Sequence, residues 1–513
     1  MESWKTLAIK IANWGYYAVA SLATILITLV SGLVIFKRVY IGPYEETWIQ
    51  NNNLFIIIST IAIILVLLSL RNILAKIKPI YLFLSLSLVW LIVGVIYYLK
   101  APSVVNPISY DQAIIWYGAD QWAHGNYQSI TQNLYFMKYP FQFGLLWFES
   151  IYQLITHNIY LVYFLNLLMV LAINYFTWQC TKLFLHNKAI VENYTLLLTF
   201  GFLPLLYFIC FVYGNIPGFL AMFIAVYYGL RYLKDTDRYH YSWIGMIIFA
   251  VLAYIWKSNY LIPLIALACI YLWQALRQAK WKLVLISIAL VLGMSVANTG
   301  LAAYYESHTG QAMSQGIPKV AWITMGLQSE DNVHHSGKAG WFNNYTEYLY
   351  ETNHLDTAKT DKQAKKQLKK QVQFYIDHPK IGFQFFSKKL ITTWSDPMFQ
   401  SIFSGPNQKL YTNIYHDKTF NIYQLLIELM NILNIIITFA ALCFIVGHFK
   451  RQNNYQMFIM LFFIGGFFFH FFWETKSQYM FQYMYCLIPL AGAMLAEWSM
   501  KLQQIIMQKA SKD

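Results

Sequence analysis

Asp111 stands in Tyr110-Asp111-Gln112, about a dozen residues beyond an apolar run that ends near residue 99. A carboxylate just outside a membrane helix stays ionised and still meets a lipid-borne substrate. Its chemistry there would be that of a general base, accepting the proton of an attacking hydroxyl, although a helix cap uses the same residue type. Asp120, in Ala119-Asp120-Gln121, lacks the same flank. Further on, Tyr139-Pro140-Phe141-Gln142 puts an extended or turn residue ahead of an apolar run, Phe143 to Phe148, that ends in Glu149. Bordered by Trp147, Phe148 and Ile151, Glu149 is expected to be an interfacial acid facing water, with a buried functional acid as the alternative.

Cations of the right kind are sparse. Lys257, in Trp256-Lys257-Ser258-Asn259-Tyr260, sits at the end of an apolar run, where a phosphate would suit it and snorkelling would also account for it. The turn His470 to Tyr479 places an acid, a base and a histidine between two apolar runs. Glu474 there could orient a sugar hydroxyl and Lys476 could meet a phosphate, while a plain surface ion pair would use the same two residues. Glu428, Asn431 and Asn434 share one helical face, which suits a polar contact between helices. Walker, dinucleotide, nucleophile-elbow and His-Glu-x-x-His patterns are absent from the sequence.

The elements that must position these residues are membrane helices. Of 513 residues, 58% are hydrophobic and only 12% charged, about half the charge of an average soluble protein. The net charge of +14 comes without a zinc spacing or a stacking module, so lipid rather than nucleic acid is the expected partner. A span needs about 20 apolar residues, which yields twelve candidates, near 13–36, 53–70, 79–99, 158–178, 193–213, 215–233, 242–256, 259–277, 281–303, 421–447, 455–473 and 478–499. Lysines and arginines of the short loops alternate onto one side, which assigns both termini to the cytoplasm of a multi-pass cell-membrane protein; Lys37 and Arg38 fall on the wrong side. The chain then divides into N-terminal helices (1–100), a first extracytoplasmic loop with Asp111 (101–157), central helices (158–303), a second extracytoplasmic loop domain (304–419), and C-terminal helices with a cytoplasmic tail (420–513). In the second loop a helix is expected from about Asp356 to Asp377, its lysines on a solvated face, and Pro379 should end it. The run Ile381 to Leu390 mixes aromatics and lysines like an interfacial helix. The five cysteines lie in or beside apolar segments and offer neither a disulfide framework nor a metal cluster.

Taken in order, Tyr110-Asp111-Gln112, Gly125-Asn126-Tyr127, Tyr139-Pro140-Phe141-Gln142-Phe143-Gly144, Lys257, Trp322 to Gly326, Gly340-Trp341-Phe342, Thr393-Trp394-Ser395-Asp396-Pro397 and Trp473-Glu474 leading into Gln478-Tyr479 resemble the GT-C superfamily of integral membrane glycosyltransferases. Within it the layout is similar to bacterial relatives of dolichyl-phosphate-mannose protein mannosyltransferases in Gram-positive envelopes. The resemblance implies an all-α polytopic fold of about twelve helices with two large extracytoplasmic loops. It also implies an inverting transfer of sugar from a polyprenyl-phosphate donor to an envelope glycan, such as a wall polysaccharide or teichoic acid. Asp111 would be the base, and Tyr110, Gln112, Tyr139, Gln142, Lys257, Asp396, Glu474, Lys476 and Tyr479 would bind substrate. No cofactor and no metal are assigned. A donor made inside and used outside requires a flippase and a sugar-loading glycosyltransferase as companions. Two departures stand out: an extra N-terminal pair of spans, and Gln478 where relatives often carry Arg before Tyr. A transporter or flippase of lipid-linked glycans is the alternative, and it predicts broken helices and polar groups near the midplane.

Overall fold

The computed structural model describes residues 2–41, 47–100, 111–184, 188–329, 338–404 and 422–510. Helix α1 (Glu2–Phe36) leads into a hairpin of β1 (Lys37–Ile41) and β2 (Thr47–Asn51), followed by α2 (Leu54–Ser69) and α3 (Pro79–Lys100). Then come α4 (Asp111–Ala123), α5 (Phe143–Ile155), α6 (Ile159–Phe184), α7 (Ala189–Gly201), α8 (Asn215–Lys234), α9 (Ser242–Trp256), α10 (Leu261–Gln278) and α11 (Lys282–Thr309). The next region holds α12 (Lys319–Gly326), α13 (Tyr345–Thr352), α14 (Thr357–Asp377) and α15 (Pro379–Trp394), and the chain closes with α16 (Ile422–Gly447), α17 (Asn454–Phe472) and α18 (Phe481–Ala510). Single turns of helix join several of these.

Among the described residues nine helices are long and apolar enough to cross a membrane, or eleven if two bent pairs each count as one span. The first bend, 49° between Ala189–Gly201 and Leu203–Cys210, falls where Pro204 withholds a backbone donor; the second, 44° within α18, falls at Leu487, in the turn before Pro489. The 242–256 window forms α9, whose 15 residues span about 22 Å, short of the bilayer's hydrocarbon thickness. The windows of Leu54–Leu74 and Pro79–Lys100 are only 11% and 17% buried, whereas those of Asn215–Lys234 and Gln424–Gly447 are 67% buried. The former therefore offer their apolar sides to lipid and the latter form the centre of the bundle. All five cysteines are unpaired.

The two-stranded hairpin departs from an all-helical expectation, and it accounts for the misplaced charges. Arg38 pairs with Gln50 in the ladder, lies 3.6 Å from Glu428 and covers the Tyr40 ring. Val39 N–H donates to the Ser395 carbonyl at 2.8 Å. The polar face of α16 thus meets the hairpin and the Pro397 segment rather than another helix: Asn431 Nδ2 donates to Asn52 Oδ1 at 2.8 Å and Asn434 Nδ2 to the Pro397 carbonyl at 3.1 Å. Glu428→Gln, which leaves the Arg38 charge in a largely buried place without its carboxylate, is expected to lower the melting temperature of the detergent-solubilised protein. An Arg38→Gln/Glu428→Gln double variant should recover part of the loss, as measured by a double-mutant cycle.

In the region before α16, Asp356 caps α14 by accepting from Lys359 N–H at 2.9 Å, and α14 ends at Asp377, two residues before Pro379 opens α15. Lys359, Lys362, Lys365, Lys366, Lys369 and Lys370 are all exposed, while Thr360, Ala364, Gln371 and Tyr375 face inward. The lysine run is an exposed face. The 111–157 and 304–404 regions pack directly on each other, through the Ile317 N–H bond to the Lys138 carbonyl and a shared apolar cluster around Trp122, Phe143, Tyr305 and Tyr350.

Candidate functional site

Asp111 opens α4, and the residue after it anchors that end. Gln112 is 1% exposed and its Oε1 accepts from Val212 N–H at 3.0 Å. This ties the start of α4 to the turn before α8. Tyr213, in the same turn, receives a hydrogen bond from Gln142 Nε2 and carries Lys257 Nζ 3.9 Å above its ring centroid. The approach of Lys257 depends on Gly214, since a Cβ there would lie 1.9 Å from the Trp256 carbonyl oxygen and 3.2 Å from Lys257 Cβ.

Burial lowers the Lys257 pKa to about 7, against the opposing pull of Asp111 first and Glu474 second. Three distant segments therefore bring one ammonium and two carboxylates into a common electrostatic neighbourhood. Tyr135, Tyr139 and Tyr213 also feel the Asp111 charge, so the acid is surrounded by phenols whose own ionisation burial pushes well up.

Glu474 belongs to the turn between α17 and α18, and that turn is built around a residue whose role the sequence did not suggest. Lys389, on α15, is 1% exposed; its Nζ donates to the Gly326 carbonyl at 2.6 Å and the Trp473 carbonyl at 2.8 Å. Burial lowers its pKa to about 7 and Glu474 works against that shift. The Glu474 charge thus acts on two buried lysines from different segments. The Trp322 to Gly326 and Gly340 to Phe342 pieces hold this turn. Thr475 N–H donates to the Gly340 carbonyl at 2.9 Å, Gly340 has φ +70°, and Lys476 Nζ lies 5.6 Å from the Phe342 ring centroid. A Cβ at Gly326 would stand 2.3 Å from the Trp473 carbonyl carbon and 2.5 Å from Glu474 N. Because the neighbour is backbone and cannot swing away, Gly326→Ala is expected to cost at least the upper part of about 1–3 kcal/mol, read as a lower melting temperature, and to displace Glu474.

Other expected site residues have different surroundings. Tyr139 donates to Glu347 Oε1 at 2.5 Å, and Lys138 beside it pairs with Glu351 at 2.5 Å and Glu347 at 3.6 Å. Asp396 is 2% exposed; it accepts from Met398 N–H, Gln400 N–H and Ser477 Oγ at 3.0, 2.8 and 2.7 Å. Burial raises its pKa to about 6. Its carboxylate fixes the left-handed pair Phe399 and Gln400 and ties them to the turn at Ser477, which makes it a brace within the site wall. Tyr479 stacks on His470, with centroids 5.5 Å apart. Tyr110 lies outside the described residues.

Glu149 corrects the expectation of a water-facing acid. It is 2% exposed, burial pushes its pKa well up, and Oε2 has no hydrogen-bond partner. A neutral carboxylic acid is the form such a place favours. The helical register explains the difference: Leu146 and Gln153, three residues before Glu149 and four after it, reach Gly118 and the Trp116 carbonyl of α4, so the face that carries Glu149 is turned to α4. Lys389 had a legible trace, because Gly382, Phe385, Lys389 and Thr392 fall at spacings of three and four. Tyr213 and Glu347 had none.

Comparison with known protein families, with curated proteins and with solved structures finds no match for the chain.

Proposed function

We propose that this membrane protein is an inverting glycosyltransferase of the GT-C type, moving a sugar from a polyprenyl-phosphate donor to an envelope glycan. The observation that carries the proposal is the grouping of Asp111, Lys257 and Glu474 from three segments far apart in sequence. In the reaction, Asp111 accepts the proton of the acceptor hydroxyl while that oxygen bonds to the anomeric carbon. The bond from that carbon to the phosphate oxygen breaks on the opposite face, and its electron pair leaves with the lipid phosphate. Lys257 meets the charge that develops there, and the incoming phosphate offsets the burial that otherwise discourages its protonation. Glu474, pulled on by Lys257 and Lys389, suits a sugar hydroxyl as acceptor of its hydrogen bond. Twelve membrane crossings, cytoplasmic termini and a site on the external face complete the proposal, with a flippase and a sugar-loading enzyme supplying the donor.

Transport of a lipid-linked glycan is favoured by one observation, the two bent helices, but each bend has a proline at hand. Glycan composition of the envelope separates the two. A deletion strain should lose one sugar substituent with the acceptor polymer still at the surface, whereas loss of the whole polymer from the surface would favour transport.

A further inference from the structure

The far end of α4 carries a second cluster that the transfer chemistry does not use. Asp120 and His124 are one helical turn apart at the C-terminal end of α4, and His157 comes from the short link between α5 and α6. Asp120 Oδ1 lies 3.2 Å from His124 Nδ1 and 3.4 Å from His157 Nδ1. The ligand atoms of all three residues fall within 4.8 Å of one another. On a tetrahedral zinc with bonds of about 2.05 Å, neighbouring ligands sit about 3.3 Å apart, so two edges of such a shell already have the right length.

Each Nδ1 also lies near a second oxygen, 2.9 Å from the Asp120 carbonyl for His124 and 2.9 Å from Gln153 Oε1 for His157, contacts that an ion bound at Nδ1 would replace. The ring planes are 25° from parallel with centroids 5.7 Å apart. Two neutral imidazoles and one carboxylate are an ordinary ligand set for a single dication. Side-chain exposures of 30% for Asp120, 58% for His124 and 66% for His157 leave an outward side where water can complete the shell.

We propose that Asp120, His124 and His157 form a binding site for a divalent transition-metal ion of the zinc class. Nitrogen-rich ligation with a single carboxylate selects zinc, cobalt or nickel over magnesium and calcium, which take oxygen ligands. Asp120 is nine residues from Asp111 along α4, a rise of about 14 Å, so the ion takes no part at Asp111. Its effect is to bolt the end of α4 to the α5–α6 link. The site stands on its own geometry, whether or not the chain transfers sugars.

The test uses full-length, tag-free protein in detergent, stripped with a chelator, desalted and titrated with Zn²⁺ and with Co²⁺. One zinc per chain retained through gel filtration, a visible Co²⁺ absorption band and a higher melting temperature with zinc are expected. Magnesium should give none of these. His157→Ala and His124→Ala/His157→Ala should weaken binding at least tenfold while the protein stays monodisperse, and Asp120→Asn, close in shape, should do the same if a histidine variant misfolds. Equal zinc binding by wild type and the double-histidine variant would overturn the assignment, as would wild type that retains no zinc.

Discussion

Asp111→Asn is expected to lower sugar transfer by about 10²–10⁴-fold, the range over which a positioned general base acts, with the protein reaching the membrane in normal amount. The amide keeps the shape of the carboxylate at the head of α4, and the adjoining Gln112 anchor to Val212 is untouched. A fold defect is therefore not expected. The comparison to make is initial rate with a purified lipid-phosphate sugar, at equal protein, for wild type and variant; rates within a factor of three of each other would remove Asp111 from the reaction. Asp111→Glu, with the same charge carried one methylene further, should recover a small part of the rate.

Lys257→Met is the second large effect, with about 10²–10³ of the rate lost if the ammonium meets charge developing on the leaving phosphate. Its pH dependence separates this role from a structural one. Burial holds the pKa of the free protein at about 7, so the protonated fraction available to receive donor falls as pH rises through 7. The efficiency kcat/KM should fall with it. Stability should move the other way. The unfolded chain keeps Lys257 and Lys389 protonated up to about pH 10.4, while the folded chain releases both protons near 7. The unfolded state then holds more protons between those values, and the melting temperature should climb from pH 7 towards 10. In Lys257→Met that climb should be shallower. An efficiency that holds level from pH 6 to 9 in wild type would rule Lys257 out as the phosphate group.

Where the bundle's helices run could be read from residue types, because a spanning helix needs a contiguous apolar stretch and little else competes for one. The α14 boundaries were equally local: Asp356 caps, and a proline follows two residues after Asp377. What escaped depended on partners far along the chain. The 193–213 window reads as one span by hydropathy, yet Phe202 leaves helical geometry ahead of Pro204. Glu149 looked amphipathic in its own neighbourhood and is buried because its face of α5 packs on α4. The hairpin was hidden because five-residue strands give a weak pattern beside apolar runs four times as long. At the candidate site, single acids and bases were legible by type, as Asp111, Lys257 and Glu474 were, but their grouping was not. Lys389 was masked by its neighbour Lys388 in a run that resembled an interfacial surface.

The hairpin after α1 sets an order of events during synthesis. Asn52 waits for Asn431, 379 residues later, Arg38 for Glu428, and Tyr16 for the carbonyl of Arg451, 435 residues on. A nascent chain holds the Asn52 side-chain oxygen, the Arg38 charge and the Tyr16 hydroxyl without these distant partners until most of the polypeptide has left the ribosome. Helix α1 and the hairpin then dock against α16 and the turn before α17. A chain stopped before α16 would keep Asp111 and Lys257 but would have neither Glu474 nor the partners that seat the hairpin. Completion of the candidate site thus waits on the same late segments that seat the hairpin, and a product truncated before α16 would carry Arg38 without Glu428.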